Sequence, residues 1–99
     1  RRLEASERTL GPDHPDTLTA VGNLAVTLRA LGHYDEAERL GRRRLEASER
    51  TLGRDHPDTL IAVGNLAATL SALSRDDEAE RLGRRRLEAS ERTLGRDHP

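Results

Sequence analysis

Apolar residues fall along this chain at helical spacing. Leu18, Val21, Leu24, Ala25, Leu28 and Leu31 recur at steps of three and four, which draws one stripe down a helix of period 3.6 and leaves the polar positions to the other side. Asp13-His14-Pro15-Asp16 marks its start. It reads as an Asp cap three residues before a second Asp, with Pro in the first turn, where its missing N–H breaks no intrahelical bond. Gly32 is the natural stop. A second helix is predicted from Tyr34 or Asp35 to Thr51 or Leu52, with Ala37, Leu40, Leu45, Ser48 and Leu52 on its inner face and Gly53 at its end. Glu38 with Arg42 and Glu46 with Arg50 stand four apart with the acid first, the orientation that supports an exposed helix.

This helical pair is written more than once. Arg1 to Gly11 recurs unchanged at Arg43 to Gly53 and at Arg85 to Gly95, a period of 42 residues. Residues 1–42 and 43–84 differ at seven positions, 12, 19, 26, 29, 32, 33 and 34, and residues 85–99 match 43–57 throughout. A period of this length means stacked supersecondary units, each packed on its neighbours, rather than a globule around one centre. The expected organisation is a single all-α array over 1–99. Residues 1–11 would be half of a second helix from a preceding unit, 13–53 repeat 1, 55–95 repeat 2, and 96–99 the start of a third. Neither end reads as a polar capping unit, so the expectation is a fragment of a longer array with marginal stability as a monomer.

Composition narrows the function classes. The apolar material is 16 Leu, 12 Ala, three Val, one Ile and one Tyr, with no Phe, Trp, Met or Cys. Without Cys there is no disulfide framework, thiolate nucleophile or Cys-ligated zinc, and the shortage of β-branched and aromatic residues argues against a β-sandwich or barrel. Seventeen Arg against 18 Asp plus Glu leave a formal net charge of −1, with none of the basic surplus that nucleic-acid binding uses. The cations are all Arg, Gln is absent and Asn occurs twice, which we read as the imprint of a GC-rich genome. No apolar run approaches the roughly 18 residues that span a bilayer, and no signal segment opens the chain, so a cytoplasmic protein with no membrane partner is expected.

The repeated residues resemble a known family. Leu52-Gly53-Arg54-Asp55-His56-Pro57-Asp58-Thr59-Leu60, Asn23-Leu24-Ala25, Gly32-His33-Tyr34-Asp35-Glu36-Ala37-Glu38 and Arg42-Arg43-Arg44-Leu45-Glu46 are similar to tetratricopeptide repeats of the 42-residue kind typified by kinesin light chain and abundant in bacterial signalling proteins. The resemblance implies a right-handed α-solenoid of antiparallel helix pairs. It also implies an adaptor rather than an enzyme, which holds a peptide or partner protein in a concave groove lined by the first helices. Three departures stand out. Gly41 and Gly83 occupy places where the family has a large residue, and Gly22 and Gly64 replace the first of two Asn residues. Arg44 and Arg86 occupy a small-residue packing place, where each must snorkel out or push helices apart. In repeat 2, Ser74-Arg75-Asp76 replaces Gly32-His33-Tyr34, so that turn either persists, with Ser74 and Asp77 as caps, or straightens into one long helix that exchanges between chains.

The varied positions 19, 26 and 29 fall within an arc of about 80° on one helix face. By the resemblance that face lines the groove. The candidate ligand residues are Thr19, Gly22, Asn23, Val26 and Arg29 in repeat 1 and Ile61, Gly64, Asn65, Ala68 and Ser71 in repeat 2. It is a shallow, small-residue surface in which Arg29 is placed to hold a peptide carboxylate. The alternative is that these positions are solvent-exposed and drifted after a recent duplication. Asn23 and Asn65 either bind a ligand backbone, as in peptide-binding relatives, or tie neighbouring helices together.

Other constellations point to structure. His14, His56 and His98 recur one unit apart, a spacing on the order of 10 Å that suits helix starts and not a shared metal. Arg42-Arg43-Arg44 fans around a helix among Glu38, Glu46 and Glu49 and reads as a solvated face. Ser48 and Ser90 have no base placed beside them, and no Gly-rich phosphate loop occurs, so no catalytic residue, cofactor or metal is expected. The function expected is peptide or protein binding by a scaffold. The second expectation is a structural repeat that self-associates, head to tail or by swapping helices.

Overall fold

The computed structural model describes Gly11 and residues 13–94. Expectations that fall on residues 1–10 and 95–99, including the preceding half helix and the third-unit start, lie outside the described residues. Four helices follow in order: α1 (Pro15–Ala30), α2 (Tyr34–Leu52), α3 (Pro57–Ala72) and α4 (Asp76–Leu94). Each packs against the next along the chain, and α1 also touches α3, which is the arrangement of a helical-repeat solenoid. The described residues contain no strand, and none of their helices is long and apolar enough to cross a membrane.

The helix ends follow from local chemistry, with one correction at the start. His14, not Asp13, is the N-cap of α1: its Nδ1 accepts from the Asp16 N–H at 3.1 Å, and His56 Nδ1 does the same for Asp58 at 3.0 Å. Asp13 is released for another task, pairing with Arg50 near the far end of α2 at 3.2 Å, and Asp55 pairs likewise with Arg92 on α4 at 3.2 Å. Arg50 therefore finds its ion pair in Asp13 and not in Glu46, because the antiparallel hairpin returns the end of α2 to the start of α1. Gly53 ends α2 at φ 96.

The α1–α2 turn closes with the His33 N–H on the Leu28 carbonyl at 2.8 Å and the Gly32 N–H on the Arg29 carbonyl at 3.0 Å. That pair of bonds is a Schellman cap, with Gly32 at φ 85. The α3–α4 turn is retained, not straightened: Arg75 N–H reaches the Leu70 carbonyl at 2.8 Å, Ser74 N–H the Ser71 carbonyl at 3.0 Å, and Ser74 itself takes φ 63.

The core sits around α3. Leu45 from α2 packs with Ala62, Val63, Leu66 and Leu70 of α3, and Ala79 and Leu82 of α4 cover the cluster. Of the predicted inner face of α2, Ala37, Leu45 and Ser48 are buried, joined by Gly41 and Ala47. Leu40 is half-buried and Leu52 exposed, because α2 meets α3 along a line through Gly41 and Leu45. Leu31 is also exposed, since it is the C-cap and lies past the last turn that faces α2. Leu24 and Leu28 of α1 are half-buried while their counterparts Leu66 and Leu70 are fully buried, because α3 is enclosed by helices on two sides.

Candidate functional site

The face that varies between repeats is assembled from α1 and α3, which lie side by side. On α1 it presents Thr19, Asn23 and Val26 as exposed residues, and on α3 Ile61, Ala68 and Ser71. Val26 and Ile61 are 38% and 44% exposed, which leaves apolar area on both helices available for burial by a ligand. Gly64, Asn65 and Arg29 are half-buried. Gly22 is fully covered and so contributes packing, not a ligand-facing surface.

Arg29 bridges the two helices. Its Nη1 donates to the Asn65 main-chain carbonyl at 3.2 Å, an oxygen that also accepts from the Thr69 hydroxyl at 3.2 Å. The remaining guanidinium donors keep capacity for a further acceptor. The tie between α1 and α3 thus runs through the backbone of Asn65, and no described residue hydrogen-bonds the side-chain amide of Asn23 or Asn65. The Thr19 hydroxyl turns back onto the Pro15 carbonyl at 3.0 Å, so its methyl is the group left for the surface.

At the small-residue packing places Arg44 is half-buried, whereas its counterpart Arg86 is exposed. The Arg44 guanidinium lies over Gly22, where a Cβ would come within 2.5 Å of its Nη1, and Arg86 lies over Gly64 in the same way. Each glycine is the vacancy that its arginine fills. Burial pushes the Arg44 guanidinium below its ordinary pKa, with Asp58 nearby opposing the shift. Arg44 and Asp58 border a cavity of about 60 Å³ with Pro15, Thr19 and Ser48; the equivalent cavity under Arg86, bounded by Pro57, Ile61 and Ser90, holds about 300 Å³. The difference comes from α3, whose first turn brings Asp58 over the smaller one.

The arginine run is also not a solvated face, contrary to expectation. Arg42 donates Nε to Glu38 at 2.9 Å and forks onto both carboxylate oxygens of Glu78 at 2.9 and 3.0 Å, and Arg75 closes the network on Glu38 at 2.6 Å. Arg85 pairs with Glu49 at 2.7 Å. These pairs join α2 to α4, so the run is a repeat-to-repeat fastening. The 42-residue period alone does not pair them, since Arg42 and Glu78 stand 36 residues apart and Glu78 repeats Glu36 rather than Glu38. Among the described residues no group of His, Asp and Glu is placed to hold a metal ion.

A protein-family model described as Tetratricopeptide repeat matches residues 17–58 and again residues 59–99. A search of curated proteins returns no match.

Proposed function

The chain belongs to the tetratricopeptide repeat family, and we propose that it is a protein-binding scaffold whose α1–α3 face receives an extended peptide segment. Repeats of this family generally mediate protein–protein interaction. The observation that carries the reading for this chain is the pairing of exposed Val26 and Ile61 on adjoining helices, flanked by small or polar Thr19, Ala68 and Ser71 and by the unengaged amides of Asn23 and Asn65. Apolar side chains of a ligand bury against the first set, and its main chain has amides to bond. Arg29, held from below by the Asn65 carbonyl, presents its free donors to an acidic group of the ligand. In this reading the helices do no chemistry and the residues named bind only.

The test begins with a random-peptide display library selected on the chain, and the strongest peptide is titrated calorimetrically. Val26→Glu and Ile61→Glu, both at exposed positions, are expected to weaken binding by at least about tenfold, the effect of putting a charge into an apolar contact. Arg29→Ala is expected to weaken peptides that carry a carboxylate more than those that lack one. Equal affinity in all three variants would remove the groove assignment.

A further inference from the structure

The two repeats provide an internal comparison. On α2, a Cβ at Gly41 would lie 3.3 Å from Leu66 of α3, and Leu45 is only 8% exposed beneath the same helix. On α4, which repeats α2 residue for residue from Asp77 onward, a Cβ at Gly83 would meet nothing within 4 Å and Leu87 is 59% exposed. Among the described residues, α4 packs on α3 and is tied to α2 by the Arg42–Glu78 and Arg85–Glu49 ion pairs. Its outer face therefore keeps the shape and chemistry of a helix seat that on α2 is filled.

What fills the seat on α2 is a helix whose counterpart this chain also contains. α3 differs from α1 at 19, 26 and 29 only, and the α3 residues at those places, Ile61, Ala68 and Ser71, are exposed and not among those pressed into α2. Leu66, which meets Gly41 of α2, corresponds to Leu24 on α1, which retains exposed area. The charges correspond as well. Arg42 on the filled seat forks onto Glu78; their equivalents are Arg84, whose side chain is 71% exposed, and Glu36. Asp58 sits by Arg44 over the small cavity, and its equivalent Asp16 is the acid that would sit by Arg86 over the larger one.

We propose that the outer face of α4 is a docking site for α1 of a second copy of this chain, joined head to tail as α3 joins α2. Glu36 of the second copy takes Arg84, its Asp16 takes Arg86, and its Leu24 covers Gly83 and Leu87. Residues 1–10 repeat 85–94 unchanged, so Arg86 and Leu87 have sequence equivalents in Arg2 and Leu3, whereas the seat residues Gly83 and Arg84 have none there. Seat and insert are different surfaces, so the contact is heterologous and does not close on a pair. It uses none of Val26, Ala68 or Arg29, while Ile61 borders the cavity at Arg86, so Val26→Glu and Arg29→Ala, which touch the peptide face alone, separate loss of peptide binding from loss of association.

Sedimentation velocity of the full chain tests this. The weight-average mass should rise above that of one chain, without levelling at a dimer, over about a hundredfold range of concentration. Leu87→Glu, which removes the seat at an exposed position, and Glu36→Arg, which removes the insert, should each sediment as monomers with unchanged helical circular dichroism. Arg84→Glu is a second seat variant with the same expected loss. An equimolar mixture of Leu87→Glu and Glu36→Arg retains one working junction and should form a discrete heterodimer. Monomer mass at every concentration would overturn the proposal, as would association that survives both seat variants or a mixture that stays monomeric.

Discussion

Ser74 holds a backbone conformation that its counterpart Gly32 adopts freely. Both occupy the same place in a Schellman cap, at φ 63 and φ 85, but the serine Cβ crowds its own carbonyl there at a cost of about 1 kcal/mol. Ser74→Gly should accordingly raise the unfolding free energy by about 1 kcal/mol, read as a higher urea midpoint at unchanged slope. An unchanged or lower midpoint would mean that the serine is not strained. The Gly-to-Ser exchange was visible in the sequence; that the cap survives it was not, since its two hydrogen bonds belong to the backbone. Thr17 and Thr59 were missed for a different reason. They look like polar first-turn residues, yet both are completely buried, with hydroxyls that no described residue bonds. The apolar stripe marks where hydrophobes must go and says nothing of which polar neighbours the next helix will cover.

At the scale of elements, helix extents were legible and helix-to-helix fastening was not. Pro15, Pro57 and Gly53 punctuate the chain by their own backbone limits, which need no tertiary context. The Glu38–Arg42 pair was readable because it lies within one helix, whereas Arg42–Glu78 and Arg75–Glu38 require knowing that α2 and α4 run side by side. The hydrogen bonds from Arg42 hold the Glu78 carboxyl below the usual glutamate range. A carboxyl lowered on folding adds stability above its unfolded pKa, and that stability is lost as pH falls through the folded value. Unfolding free energy should therefore rise with pH across the acid range, and Glu78→Gln should flatten part of that rise and lower stability at neutral pH. Urea titrations at a series of pH values check this, and identical profiles for the two proteins would remove the pair from the stability of the α2–α4 link.

Over the whole molecule, protection is expected to peak in the middle. Leu66 and Leu70 of α3 are at 1% and 0% exposure, whereas Leu24 and Leu28 of α1 and Leu87 of α4 retain open area. Amide hydrogen exchange in dilute solution should be slowest in α3 and faster in the C-terminal half of α1 and the outer half of α4, since each solenoid layer draws stability only from its neighbours. Uniform protection over all four helices would contradict a one-dimensional stack. Repeat period and stripe made the candidate groove legible as a surface, because positions on one face of a helix stay on one face whatever packs behind it. The burial of Gly22 under Arg44 was not legible, because the two residues are joined only across the hairpin. That interlock carries a consequence for how such an array is inherited. Glycine and arginine lie within one 42-residue unit, so any copying event that duplicates or deletes a whole unit carries bulk and vacancy together. The array can lengthen or shorten by whole units without a matching change elsewhere, since each unit brings its own glycine to lie under its own arginine.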